Sequence, residues 1–134
     1  MHTEFLMGNA AIAMGAIAAG LNVVSGYPGT PSTEVLETTA KHNDGSIYVE
    51  WSTNEKAAME LAAGAAYCGA RTMVTMKQVG LNVASDPLMS LAYIGVKGGM
   101  VILVADDPGP ISSQTEQDTR RFAAFSKLPC FDPS

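Results

Sequence analysis

Two stretches of this sequence hold residue types able to do chemistry where a strand turns into a helix. The first is Ser25-Gly26-Tyr27-Pro28-Gly29-Thr30-Pro31-Ser32-Thr33-Glu34, with a hydroxyl at Thr30 backed by the amides of the helix behind it. The second is Ser52-Thr53-Asn54-Glu55, where a carboxylate opens a helix. A hydroxyl and a carboxylate placed this way could bind a ligand or move a proton. Both also have an ordinary structural role. Thr30 reads as an N-cap followed by Pro31 at the first helical position, and Ser52 with Glu55 reads as a capping box. Caps are commoner than sites, so on residue pattern alone the capping readings lead.

The elements that must position these residues alternate regularly. A buried helix is expected over residues 8–19, capped by Asn9, and a strand over 22–26. A helix from Pro31 to about Lys41 then breaks at His42-Asn43-Asp44-Gly45, and a β-branched and aromatic strand covers 46–51. The helix through Tyr67 is rich in Ala and Gly, so a closely packed, sandwiched helix is expected. Lys56 and Glu60 give it one solvated edge. A strand over 71–76 leads into Lys77-Gln78-Val79-Gly80-Leu81-Asn82, and a helix over 81–96 can restart at Pro87 with Asp86 as cap. Residues 100–105 (MVILVA) read as a fully buried strand. A loop over 106–114, a helix over 115–127 and the beginning of a strand at 128–134 complete the chain.

This alternation predicts an α/β fold: an open, mainly parallel sheet with helices on both faces. A parallel sheet brings its carboxyl-end loops to one edge. That edge would gather Tyr27 to Thr30, Glu55, the polar segment Lys77 to Asn82, and a second polar wall over Ser112 to Gln117. The wall reads equally well as a solvated loop.

Composition removes several function classes. The 134 residues suit one domain, and 47% apolar with 16% charged residues is a globular balance. A net charge of −5 with scattered Lys and Arg gives no stripe for nucleic acid. The apolar run 10–19 is shorter than the roughly 20 residues a membrane span needs, and the segment before it contains Glu4 and no Lys or Arg, unlike a signal peptide. Cys68 and Cys130 form neither a CxxC motif nor a disulfide framework, which favours a reducing cytoplasm. His2 and His42 stand apart, no metal site is expected, and Asp106-Asp107 before Pro108 reads as a turn. Neither GxGxxG nor a Walker A sequence is present.

Four blocks in order carry a family resemblance: Gly26-Tyr-Pro-Gly-Thr-Pro-Ser-Thr-Glu34, Asn54-Glu-Lys-Ala-Ala-Met-Glu60, Thr75-Met-Lys-Gln-Val-Gly-Leu-Asn82, and Asp106-Asp-Pro followed by Ser112-Ser-Gln-Thr-Glu-Gln-Asp118. Together they resemble the amino-terminal domain of the indolepyruvate:ferredoxin oxidoreductase alpha subunits, within the thiamine-diphosphate-dependent 2-oxoacid:ferredoxin oxidoreductases. The resemblance spans essentially the whole chain and implies a pyrimidine-binding (PYR) domain, which grips the aminopyrimidine end of thiamine diphosphate. Glu55 would bond the ring nitrogen N1′ and favour the tautomer that takes the proton from thiazolium C2, so it is the implied catalytic residue. Thr30 and Pro31 would line the substrate side. Tyr27, Pro28, Gly29, Lys77, Gln78, Gly80 and Asn82 would lie against the cofactor. This branch often carries His at position 78, where this chain has Gln78.

The diphosphate- and magnesium-binding motif of the superfamily and its Cys-rich iron–sulfur segment are not in this sequence. The resemblance therefore places magnesium and iron–sulfur clusters elsewhere in the full enzyme. It makes residues 1–134 a single PYR-type domain, an N-terminal fragment of a longer subunit that is inactive alone. Implied partners are a diphosphate-binding domain of the same or a partner subunit, the beta subunit, ferredoxin and coenzyme A, in an oligomer for which the Ala-rich helix is a candidate interface. The implied reaction is oxidative decarboxylation of indolepyruvate or another arylpyruvate to an acyl-CoA. Two other readings of the residues stay open: a PYR subunit of a non-oxidative 2-oxoacid decarboxylase, and a non-catalytic α/β binding or assembly module.

Overall fold

The computed structural model describes residues 4–106, 109 and 115–133. The elements run α1 (Gly8–Ala18), β1 (Val23–Gly26), α2 (Thr33–His42), β2 (Tyr48–Trp51), α3 (Glu55–Tyr67), β3 (Thr72–Lys77), α4 (Gln78–Val83), α5 (Ser85–Ile94), β4 (Met100–Ala105) and α6 (Arg120–Ser126). The four strands form one all-parallel sheet in the order β2-β1-β3-β4. This is the α/β architecture that the alternation of elements predicts.

Side-chain alternation along β3 divides the core in two. Val74 and Met76 point to the face covered by α3, α4 and α5, where they meet Ala58, Met59, Ala62, Ala63, Leu81 and Leu88. Met73 points to the other face and joins Val24, Val35, Leu36 and Ala13 beneath α1 and α2. Burial on both faces explains why β3 is apolar or hydroxyl-bearing from Thr72 to Met76, with a charge only at its half-buried last residue, Lys77. The small side of α3 is turned inward, as expected for a sandwiched helix. Ala58, Ala62, Ala63 and Ala66 are enclosed within this fold, while Gly64 and Tyr67 on the same helix are exposed.

Several local expectations are corrected. The residue before α1 is Met7, with no side-chain cap; Asn9 lies inside the helix and its Nδ2 donates to Pro31 O (2.6 Å) and to Glu34 Oε2 (3.1 Å). Nor is α1 a buried helix. Only Ala13 is fully enclosed, because α1 packs on α2 along one side. The strand expected from residue 22 starts at Val23, and Asn22 Oδ1 accepts from the amide of Arg71 (2.9 Å), tying the two strand starts together. The expected break after α2 is present: Asn43 Oδ1 accepts from the Gly45 and Ile47 amides while its Nδ2 donates to Ile47 O, and Gly45 holds φ +99°.

The expected helix over 81–96 is two helices that hinge at Ala84, three residues before Pro87, and Asp86 provides no cap. Its first turn starts at Gln78, directly after β3. Strand β4 has the expected bounds but is an edge strand, with Val101 56% exposed, because only β3 pairs with it among the described strands. The carboxyl-terminal helix is shorter than expected, Arg120–Ser126, and residues 128–133 form no strand. Asp107, Pro108 and residues 110–114, which include part of the expected polar wall, lie outside the described residues, as does Ser134.

Candidate functional site at the carboxyl edge of the sheet

The order β2-β1-β3-β4 sets the position of the site. After β1 the chain moves outward to β2, and after β3 it moves the opposite way to β4. The loops leaving β1 and β3 therefore part from each other and leave a crevice at the carboxyl edge. Gly26 and Thr75 face each other in register at its floor. A β-carbon on Gly26 would stand 2.5 Å from Thr75 Oγ1, so the glycine is what lets the two strand ends close up. Thr75 Oγ1 is fully buried and has no hydrogen-bond partner among the described residues.

The first wall is the loop after β1. Tyr27, Pro28 and Thr30 are exposed, and Gly29 and Pro31 are half-buried. The loop is braced internally. Ser32 donates to Gly29 O through both its amide and its Oγ (2.8 Å each), the Gly29 amide donates to Thr33 Oγ1 (2.9 Å), and Asn9 holds Pro31 O. The Thr30-Pro31 peptide is cis. Thr30 is not the N-cap of α2: the helix starts at Thr33, after Ser32, and neither side chain caps it. With no capping bond to make, the exposed Thr30 hydroxyl forms no hydrogen bond within the described residues.

Glu55 forms the second wall. Its helix is capped by Asn54, whose Oδ1 accepts from the Ala57 amide (2.8 Å), so the expected Ser52 capping box does not form and Glu55 is the first helical residue rather than the third. The carboxylate sits at the positive end of the helix. It is 8% exposed, and it makes no hydrogen bond or ion pair within the described residues. The neighbouring cation is directed elsewhere: Lys56 Nζ pairs with Asp86 (2.8 Å), and this contact holds the ammonium above the usual lysine range. On the sheet side, Ser25 Oγ donates to Ala58 O (2.7 Å) and fixes the first turn of α3 to β1. A buried carboxylate without a partner is costly, and a group that brings its own N–H to it would remove that cost.

The third wall leaves β3. The stem of Lys77 lies against Gly29, and Gly80 lies directly under the Glu55 side chain. Gln78 is fully buried, and its Nε2 donates to Thr115 O (2.7 Å). Asn82 and Gln117 exchange two amide hydrogen bonds of 2.9 and 3.0 Å. The structure thus joins the first wall to the third at Gly29 and Lys77, and the second to the third at Glu55 and Gly80. Gln78 and Asn82 are instead engaged with the segment 115–117, and no hydrogen bond links Thr30 to Glu55.

Sequence reasoning overlooked Ser25, Asn54 as the cap, Asn9 as a brace and Thr75 at the crevice floor. Asn54 is a strong capping type, but Ser52 and Thr53 before it are capping types too, and the other three carried no readable signal. No group of three His, Cys, Asp or Glu side chains among the described residues could hold a metal ion, and no helix among them is long and apolar enough to cross a membrane. The residues present fit the aminopyrimidine end of thiamine diphosphate. They offer a hidden carboxylate at a switch-point crevice that makes no hydrogen bond or ion pair within the described residues.

Residues 14–117 match the family model described as pyruvate flavodoxin/ferredoxin oxidoreductase, thiamine diP-bdg. The chain is 51% identical to the indolepyruvate oxidoreductase subunit IorA of Archaeoglobus fulgidus over 97% of its length, which is 22% of that protein. It is 53% identical to the IorA subunit of Methanothermobacter thermautotrophicus, covering 97% of this chain and 21% of the relative. The ketoisovalerate oxidoreductase subunit VorB of the same organism is 30% identical over 81% of this chain and 31% of its own. The chain thus spans about a fifth of the length of the IorA relatives. Among solved structures, a 2-oxoglutarate:ferredoxin oxidoreductase from Magnetococcus marinus, determined with 2-oxoglutarate, coenzyme A and succinyl-CoA bound, superposes with a TM-score of 0.68 at 28% identity. That match covers 78% of this chain and 18% of the other. The family model covers most of the chain and the crevice described above, and the chain therefore belongs to the thiamine-diphosphate-binding family of the pyruvate flavodoxin/ferredoxin oxidoreductases.

Proposed function

We propose that residues 1–134 form the pyrimidine-binding unit of a longer 2-oxoacid:ferredoxin oxidoreductase subunit, acting on indolepyruvate or another arylpyruvate. The observation that carries this reading is Glu55: a buried carboxylate at a helix start, without a partner among the described residues, beside the crevice between β1 and β3. The higher identity to indolepyruvate than to ketoisovalerate oxidoreductase subunits supports the aromatic substrate class.

When bound, thiamine diphosphate supplies the carbon nucleophile and electron sink needed to decarboxylate a 2-oxoacid. Glu55 accepts the hydrogen bond of the ring nitrogen N1′ and holds the proton shared there. Low exposure strengthens that bond by excluding water. Thr30, with its hydroxyl unengaged, and Pro31 face the 2-oxoacid. Tyr27, Pro28, Gly29 and Lys77 border the ring. Magnesium, the iron–sulfur clusters and the diphosphate-binding residues come from other parts of the enzyme, and coenzyme A and ferredoxin are its acyl and electron acceptors. We place the enzyme in the cytoplasm, as an assembly with a beta subunit.

The test is Glu55→Gln in the complete enzyme. It keeps the shape of the side chain and removes the acid–base group, so 2-oxoacid-dependent ferredoxin reduction should fall by about 100-fold or more, within the range general acid–base groups contribute. The melting temperature should change little. Full activity of the variant would overturn the reading.

A further inference from the structure

We infer that Gly80 is a positioning residue: its missing side chain fixes where the Glu55 carboxylate stands, and it acts on a bound aminopyrimidine only through Glu55. The inference rests on the reading of Glu55 given above and assigns Gly80 a role other than direct contact with the cofactor.

Gly80 is the third residue of α4 and is buried. Glycine is the poorest helix former after proline, so its presence inside a six-residue helix calls for a local cause. Backbone conformation is not that cause, because Gly80 is not among the glycines with positive φ. Space is. A β-carbon at this position would stand 2.7 Å from both Cγ and Oε1 of Glu55 and 3.0 Å from its Cδ, closer than non-bonded carbon and oxygen atoms approach. Other helical glycines differ: a β-carbon on Gly15 in α1 or Gly64 in α3 would meet nothing within 4 Å.

Neither backbone around this contact has room to give. Helix α4 continues directly from β3, its Gln78 is buried and bonded to Thr115 O, and Leu81 and Ala84 are packed in the core. Helix α3 is held at its start by the Asn54 cap and by the bond from Ser25 to Ala58 O. Any side chain at position 80 must therefore turn the Glu55 carboxylate out of its present place. A displacement of that kind removes a directional hydrogen bond without removing the residue that makes it.

The test is a double-mutant cycle in the complete enzyme, read as affinity for thiamine diphosphate in titrations of the cofactor-free protein. Gly80→Ala should weaken binding about tenfold or more in the Glu55 background. In the Glu55→Ala background the same substitution should change affinity less than about twofold. An equal loss in both backgrounds would overturn the inference and leave the Glu55 reading standing. Unchanged affinity in Glu55→Ala alone would remove that reading, and this inference with it. Should Gly80→Ala fail to fold, folding of the Gly80→Ala, Glu55→Ala double variant would support the contact, and failure of the double variant would overturn it.

Discussion

The stem of Lys77 lies across Gly29, so that a β-carbon on Gly29 would stand 3.2 Å from Lys77 Cδ and 3.3 Å from Cγ. The loop leaving β1 and the end of β3 are in contact there, which makes the mouth of the crevice a shared surface of two segments far apart in sequence. Gly29→Ala asks a flexible side chain to move by a few tenths of an ångström. The expected loss of stability is below about 1 kcal/mol by thermal denaturation, as for mild overpacking. The variant should instead change cofactor affinity, since it shifts Lys77 at the crevice mouth.

Gly26 makes a sharper contrast. A β-carbon there would meet both Thr75 Oγ1 at 2.5 Å and the Thr75 carbonyl oxygen at 3.0 Å, and the backbone atom cannot rotate away. Gly26→Ala should cost about 1–3 kcal/mol, seen as a lowered melting temperature. Adding Thr75→Ala should recover only part of that loss, because the carbonyl remains.

Asn54→Ala removes the cap that holds the first turn of α3. The expected cost is about 1 kcal/mol, while Asn54→Asp should retain most of the stability because its carboxylate accepts the same amide. Chemical denaturation of the two variants side by side checks this. Asn54→Ala should also loosen Glu55, and so weaken cofactor binding more than its stability loss alone accounts for.

Gln78→Ala leaves Thr115 O without its donor and empties a buried space. It should destabilise by about 1–3 kcal/mol. Amide hydrogen exchange over residues 115–119 should rise more than exchange in β3. Asn82→Ala, which breaks the exposed pair with Gln117, should speed exchange over the same segment with little change in melting temperature.

The Arg120 guanidinium, 2.8 Å from Asp118, holds that carboxyl below the usual aspartate range. A lowered folded-state value means the pair adds stability above the ordinary aspartate value of about 3.9 and loses it as pH falls through the depressed one. The pair is exposed and screened by salt, so the effect is small. Asp118→Asn should melt slightly below the parent at pH 7 in low salt. The difference should vanish in acid below the depressed value and shrink at high ionic strength.

The order of elements was legible because it is written locally. Val23 to Gly26 ends in Tyr-Pro-Gly, Asn43-Asp44-Gly45 forces a turn, and the apolar run of β4 has the length of a strand. What the sequence concealed was non-local or depended on backbone angles. Ser52, Thr53 and Asn54 are all capping types in succession, and only the extended backbone at Asn54 selects the last of them. The placement of β4 at an edge follows from which strands pair, which an apolar run does not encode. The resemblance put Glu55 and Gly80 in one site, but only packing shows one touching the other, 25 positions apart in the chain.

The hydrogen bond from Ser25 to Ala58 O sets the rotation of α3 about its own axis relative to the sheet. Glu55 is one turn before Ala58 on the same helix, so the bearing of its carboxylate is settled while the chain folds. A ligand arriving at the crevice then meets a side chain whose point of attachment is already fixed, which lowers the ordering required on binding. Ser25, buried beneath α3, should thereby influence the entropy of association more than its enthalpy.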